Sequence, residues 1–217
     1  MRVAIFGTTG AGKSTLLKDL KSLLDDSYIF IDENFESPYF KQAYDENSDD
    51  IQTINYKLDL WMLTDRMKTF KKYIDQKNII YDRSLLDSMV FAETDHNYGR
   101  LNDVDYNVFK DYFLSCVVPN FYDKELKEFK YDLVIYLKVD EDTAIQRINK
   151  RHRNEEAKTN DKFWKSLCRN YETWYQFYKD VLPIMVIDST NQDHLDYAKK
   201  IVDRINEFDN KNNKKDC

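Results

Sequence analysis

The chain has 217 residues, 42% of them hydrophobic and 33% charged, enough to bury a core and to exclude a peptide, a coiled coil or a wholly disordered chain. A formal net charge of −6 weighs against a duplex nucleic-acid binder, and no stretch reaches the roughly 20 apolar residues of a membrane span, so neither nucleic acid nor membrane is expected as a partner. Cys116, Cys168 and Cys217 form neither paired metal-ligand spacing nor a secreted disulfide framework, and Met1–Phe6 opens no signal peptide, so a cytoplasmic setting is expected.

Five short apolar runs read as strands: Val3–Phe6, Tyr28–Ile31, Ile79–Tyr81, Leu133–Leu137 and Ile184–Ile187. They are continuous rather than alternating and rich in β-branched and aromatic residues, the pattern of strands buried on both faces. Helical spacing fills the intervals at about Ser14–Leu24, Ile51–Ile74, Val104–Val118, from Glu141 onward, Phe163–Val181 and Leu195–Phe208. Alternation of this kind predicts right-handed crossovers and a parallel sheet with helices on both faces. Ligands of such sheets bind beyond the carboxyl ends of the strands. Acids stand there: Glu33 after Asp32, Asp82, Asp140 and Asp188. One domain is expected over residues 1–209, with a polar tail over 210–217.

The first strand runs into Gly7-Thr8-Thr9-Gly10-Ala11-Gly12-Lys13-Ser14-Thr15, which fits G-x-x-x-x-G-K-[ST] in its strand–loop–helix setting. Three of the chain's four glycines lie in this loop. They let successive N–H groups turn inward, and those groups, the helix N-terminus and Lys13 can cradle a dense anion such as the phosphates of ATP. The Ser14 hydroxyl is a candidate ligand for Mg²⁺ bridging phosphate oxygens.

Three further constellations stand at later strand and helix ends. Glu33, in Asp32-Glu33-Asn34-Phe35, would face the loop across the strand tips and serve as base or orienting group for a hydroxyl acceptor; taken alone, a solvated or helix-capping acid is the alternative. Asp82-Arg83-Ser84 puts a guanidinium beside that acceptor, with an ordinary strand-end ion pair as the alternative. Arg147, Lys150, Arg151 and Arg153 crowd cations into seven residues ahead of Glu155-Glu156. Arg147 and Arg151 share a helix face, and a segment of this kind can close over phosphates.

With these residues in this order, from Met1 to about Phe208, the sequence resembles the deoxynucleoside kinase family, in particular its bacterial deoxyadenosine/deoxyguanosine kinase branch. The stretch Arg151-His152-Arg153-Asn154-Glu155-Glu156 is close to the family's R-G-R-x-E-E lid. The resemblance implies an α/β, P-loop kinase fold: a five-stranded parallel sheet with helices on both faces and a short arginine-rich lid. It implies ATP-dependent 5′-phosphorylation of a deoxynucleoside; deoxyadenosine is the expected first acceptor, on the ground of Asp59, with deoxycytidine and deoxyguanosine as further acceptors. By the same resemblance Glu33 is the base, Arg83 holds Glu33 and the 5′-oxygen, and Asp82 reaches Mg²⁺ through water. Glu156 and Tyr44 bind the sugar 3′-hydroxyl, while Arg147, Arg151 and Arg153 embrace the phosphates together with Lys13. A homodimer is expected as the assembly.

The sequence departs from the family at informative places. Glu33-Asn34 stands for the usual Glu-Pro, and His152 for the lid's small residue. The family's base-reading helix carries glutamine seven residues before an arginine; seven before Arg66 is Asp59. An ionised aspartate only accepts hydrogen bonds, which predicts amino-bearing bases with adenine first; a protonated Asp59 removes that basis. Trp61 and Phe91 read as core, with the base pocket as the other reading, and the aromatics of Phe163–Tyr178 as core or subunit interface. His96 and His194 read as surface residues. A thymidylate-type monophosphate kinase shares the loop, the Asp-Arg motif and the arginine lid, but Glu33 and Glu156 suit a neutral acceptor better. A GTP-binding switch needs Asn-Lys-x-Asp, and Asn149-Lys150-Arg151-His152 lacks the aspartate.

Overall fold

A computed structural model describes residues 1–45, 48, 50–123, 125, 128–151, 156 and 159–213, with backbone only for Glu128 and residues 209–213. In chain order the elements are β1 (Arg2–Phe6), α1 (Lys13–Leu23), β2 (Ile29–Ile31), α2 (Phe40–Ala43), α3 (Ile51–Lys72), β3 (Ile79–Asp82), α4 (Leu85–Asn97) and α5 (Asp103–Tyr112). After a π-helical turn, Phe113–Val117, come α6 (Val118–Phe121), β4 (Tyr122–Asp123), β5 (Glu128–Phe129), β6 (Leu133–Lys138), α7 (Glu141–Arg151), α8 (Asp161–Tyr178), β7 (Ile184–Asp188) and α9 (His194–Asn213).

Five strands form one parallel sheet in the order β2-β3-β1-β6-β7, and β4 and β5 make a separate two-stranded antiparallel pair. β1 is central, with Ala4 opposite Tyr81 on one side and Val134 on the other. The chain goes to one side of β1 for β2 and β3 and to the other for β6 and β7, which opens a crevice over its carboxyl end. Successive side chains of β1 face opposite layers. Val3 and Ile5 pack with Leu16, Leu20, Ile201 and Ile205 from α1 and α9. Ala4 and Phe6 pack with Leu63, Val90, Trp164 and Tyr171 from α3, α4 and α8.

The parallel sheet and its flanking helices are as expected; several details differ. β2 and β7 are only half-buried, because each has one strand neighbour. α4 was not anticipated: both its apolar and its polar residues are buried, so no 3.6-residue stripe marks it. The helix expected over Val104–Val118 is broken by the π-helical turn. α9 runs on to Asn213, past the boundary placed at residue 209. Among the described residues no helix is long and apolar enough to cross a membrane.

Candidate active site

The loop after β1 is shaped by backbone conformations that glycine supplies. Gly10 has φ +83°, and a Cβ there would lie 2.5 Å from the Ala144 carbonyl oxygen of α7. Gly12, at φ +96°, is the N-cap of α1, and no side chain caps that helix, so its first amides remain available to an anion. Lys13 folds back and donates to the carbonyls of Gly7 and Thr8, both at 2.9 Å. Burial, and then the neighbouring Arg83, lowers its pKa to about 8. Thr9, Gly10, Gly12, Lys13, Ser14 and Thr15 line a cavity of about 580 Å³. The buried Thr8 and Ala11 form the back of the loop, and Cys168 Sγ lies 3.6 Å from Thr8 Oγ1.

Glu33 faces this loop, as the sequence predicts, and is clamped. Its Oε1 accepts from Arg66 Nη2 and its Oε2 from Arg83 Nε, each at 2.6 Å. Burial alone would raise its pKa; Arg83 and then Arg66 overcome that and bring it down to about 2. Arg66 also donates to Ser88 Oγ at 2.7 Å.

Arg83 is held in turn by Asp87, which stands outside the Asp82-Arg83-Ser84 constellation, and by Tyr171, which the aromatic pattern assigns to core or interface. Its φ is +74°, rare for a side-chain-bearing residue, and places it between β3 and the first turn of α4. Ser84 caps α4 and Asp87 Oδ2 accepts from the Ser84 N–H and hydroxyl, at 2.6 and 2.8 Å. Asp87 Oδ1 accepts from the Tyr171 hydroxyl at 2.6 Å, and that hydroxyl accepts from Arg83 Nη1 at 2.8 Å. Phe91 lies under the guanidinium, 4.8 Å from ring centroid to Arg83 Cζ, and lines the cavity, so it serves the site rather than the core alone. The spacing Ser84-x-x-Asp87 was the available signal for this network; nothing in the sequence ties Tyr171 to it.

Asp82 also lines the cavity, and its Oδ1 is buried without a hydrogen-bond partner. Burial raises its pKa despite nearby Lys13. Among the described residues no group of three His, Cys, Asp or Glu side chains is arranged to hold a metal by itself.

Arg147 donates to the Ser189 carbonyl at 2.7 Å and reaches the Gly10 carbonyl at 3.4 Å, which ties α7 to the loop. Arg151 is paired with the buried Glu156, and both line the cavity with Tyr44. Arg153 lies outside the described residues. His194, read as a surface residue, is exposed; it stands at the cavity rim and bonds Asp19 Oδ2 at 2.7 Å.

Asp59 and Arg66 of α3 both line the cavity, while Leu63 turns into the core. Asp59 is not in the surroundings its expected charge requires. Burial, and then the charge of Asp95 on α4, pushes its carboxyl well above the usual carboxylate range. Both influences work against an ionised, acceptor-only Asp59, the state on which the argument for amino-bearing bases rests. Asp95 and Arg100, both buried cavity residues, were missed because their significance depends on α4, which lacked a periodic signature.

A phosphate-type loop, an acid clamped by two arginines and a polar far end thus share one cavity. A family model for deoxynucleoside kinase matches residues 3–210. The chain belongs to the deoxynucleoside kinase family. It is 27% identical over 217 residues to the deoxyadenosine/deoxycytidine kinase of Bacillus subtilis (strain 168), covering 98% of this chain and 95% of the relative. It is likewise 27% identical over 203 residues to the deoxyadenosine kinase of Lactobacillus acidophilus (strain ATCC 700396 / NCK56 / N2 / NCFM), covering 90% and 87%. A solved structure of deoxyadenosine kinase from M. mycoides with bound dATP superposes with a TM-score of 0.82 at 34% identity, covering 95% of this kinase and 100% of that chain. The same M. mycoides enzyme with bound dCTP gives 0.80. The sheet order, the loop and the Asp82-Arg83-Ser84 turn of this kinase are thus parts of a phosphotransferase scaffold.

Proposed function

We propose that this kinase transfers the γ-phosphoryl group of ATP to the 5′-hydroxyl of deoxynucleosides, deoxyadenosine first and deoxycytidine next. The observation that carries the reading is Glu33 held by Arg66 and Arg83 in the same cavity as Lys13. Lys13 and the amides of the glycine loop take the β- and γ-phosphates, and Arg147 and Arg151 close over them from α7; Arg153 belongs to the same set. Glu33 accepts the 5′-hydroxyl. With a pKa of about 2 it is a poor base for a free alcohol, so its first task is orientation. That suffices for a loose transition state, in which the alcohol becomes acidic only as the P–O bond forms. Arg83, aimed by Asp87 and Tyr171, holds Glu33 and the 5′-oxygen. Glu156 and Tyr44 take the 3′-hydroxyl, and Asp59 lies at the base.

Mg²⁺ fits the residues present. Ser14 on the cavity wall and the orphaned Asp82 Oδ1 would hold it, Asp82 through water, with phosphates completing the shell. When bound, the ion would neutralise charge on the phosphates. A monophosphate acceptor fits less well, because Arg66 and Arg83, the cations it would need, are occupied by Glu33. A homodimer belongs to the same reading, with the exposed Val104, Val108 and Tyr112 on α5 as a face for the second copy; light scattering on the purified chain tests it. The function is tested by incubating the four deoxynucleosides, dAMP and dTMP with ATP and Mg²⁺. Deoxyadenosine and deoxycytidine should be converted fastest and the monophosphates not at all; turnover confined to dAMP or dTMP refutes the reading.

A further inference from the structure

The charges of the cavity fall into two groups. Toward the phosphate loop Lys13, Arg66 and Arg83 lie against Glu33, Asp82 and, behind the cavity wall, Asp87, while Arg147 and Asp193 add one charge of each sign to the wall. Arg151 and Glu156 pair with each other. The far end does not balance in this way. Asp59 projects from α3 and Asp95 from α4, both buried, and one guanidinium, Arg100, lies with them. Arg100 is itself divided. Its Nε is 3.5 Å from Asp95 Oδ1, too poorly directed for a hydrogen bond, its Nη2 donates to the Ala43 carbonyl, and it stacks on Phe163. Asp59 Oδ2 is buried with no hydrogen-bond partner.

We propose that Asp59 and Asp95 hold one proton between them, and that Asp59 meets the nucleoside base as a neutral carboxylic acid. The proposal rests on the deoxynucleoside reading of the same cavity. A buried carboxylate without partner is costly, and adding one proton removes the excess charge. Burial and Asp95 raise the Asp59 carboxyl, burial raises Asp95, and Arg100 opposes both. The other titratable or charged groups at this end of the cavity are Tyr44 just after α2, Arg66 of α3 and Glu156 after α7. Tyr44 is pushed upward, mainly by burial, and stays neutral. Arg66 is committed to Glu33 and Ser88.

A neutral carboxyl group offers one O–H donor beside one C=O acceptor. That pair matches an amidine edge, a ring nitrogen next to an exocyclic amine, which adenine and cytosine both carry. The selectivity lost with an acceptor-only aspartate is thus recovered by a different route: two hydrogen bonds to an amidine edge, with the proton kept on Asp59 by Asp95.

The test combines infrared spectroscopy with calorimetry, and neither needs turnover. Free protein at neutral pH should show a protonated-carboxyl C=O stretch that Asp59→Asn removes. Asp95→Asn, which leaves Arg100 to Asp59, should also remove it, and decides the matter if the first variant does not fold. Deoxyadenosine affinity should stay level while that band persists and fall tenfold per pH unit beyond its loss; in Asp59→Asn the affinity should no longer change with pH. A wild-type spectrum without the band, a band untouched by either substitution, or an affinity that stays level after the band has gone overturns the proposal. Failure of any deoxynucleoside to bind instead strikes the functional reading, and the band still tests the proton.

Discussion

Replacing Glu33 with glutamine removes one negative charge from between two guanidiniums. Both carboxylate oxygens accept at 2.6 Å and the side chain is 6% exposed, so water cannot make good the loss. The amide oxygen can still accept from one arginine, but the amide NH₂ then points at the other, which leaves Arg66 with only Ser88 or Arg83 with only Asp87, Tyr171 and the Gly7 carbonyl. The size follows from linkage. A folded pKa of about 2 against an ordinary 4.5 is worth about 3 kcal/mol at neutral pH. Because the folded value is depressed, this stabilisation is full above the ordinary value and is lost as pH falls from about 4.5 through about 2. At about 2–4 °C per kcal/mol for a chain of this size, Glu33→Gln should melt about 6–12 °C below the wild type at pH 7. Its kcat should fall by about 10²–10⁴, as for loss of an orienting acid or base, while calorimetric ATP affinity is retained. Glu33→Asp separates the two effects, because it keeps the charge but withdraws it by one methylene; it should melt closer to wild type and still turn over slowly. Near-normal kcat in Glu33→Gln, with the expected melting shift, would confine Glu33 to a structural role and refute the reasoning.

The remaining predictions address the groups around it. Tyr171→Phe deletes the hydroxyl between Arg83 Nη1 and Asp87 Oδ1, a loss of about 1.5–3 kcal/mol. It should lower kcat by about 10-fold or more with the KM for ATP unchanged, and a melting shift without a kcat change counts against Tyr171 as a positioning residue for Arg83. Gly10→Ala must push the loop off the Ala144 carbonyl, 2.5 Å from the new methyl, so calorimetry should show weaker ATP binding; unchanged affinity refutes the close fit. Lys13 has a pKa of about 8 in the free protein, and bound phosphates hold its proton on, so ATP affinity should be level below about pH 8 and fall tenfold per unit above it. A profile level to about pH 9.5 contradicts the assignment, as does an unaltered ATP affinity in Lys13→Ala.

Much of this site could be read from the chain because its signals are local. The loop Gly7–Thr15 announces itself through glycines whose backbone angles no other residue takes easily, and the strands through unbroken β-branched runs. Glu33 and Arg83 follow from standing just beyond strand ends. What stayed hidden depends on contacts distant in sequence. Tyr171 meets Arg83 across 88 residues, and its place in an aromatic-rich helix suggested only packing. Asp95 sits on α4, whose buried polar residues erase the periodicity that would have revealed the helix. The upward displacement of the Asp59 carboxyl comes from burial and then from Asp95, neither of which spacing along α3 contains.

The two ends of the cavity solve opposite electrostatic problems in a chain whose net charge is −6. At the phosphate end Lys13 rests on the Gly7 and Thr8 carbonyls, and the nearby acids Asp82, Glu33 and Asp87 offset the charge of Lys13 and Arg83. At the far end a neutral base arrives, and two carboxylates there would have one guanidinium, Arg100, to share once water leaves. A shared proton removes that penalty without adding another cation, which would draw the triphosphate to the wrong end. The division predicts how salt acts. Raising ionic strength should weaken ATP binding, which depends on partly exposed cations such as Arg151, far more than deoxyadenosine binding, which depends on a neutral buried acid. Parallel losses of the two affinities in calorimetric salt titrations would mean that the far end carries a net charge after all.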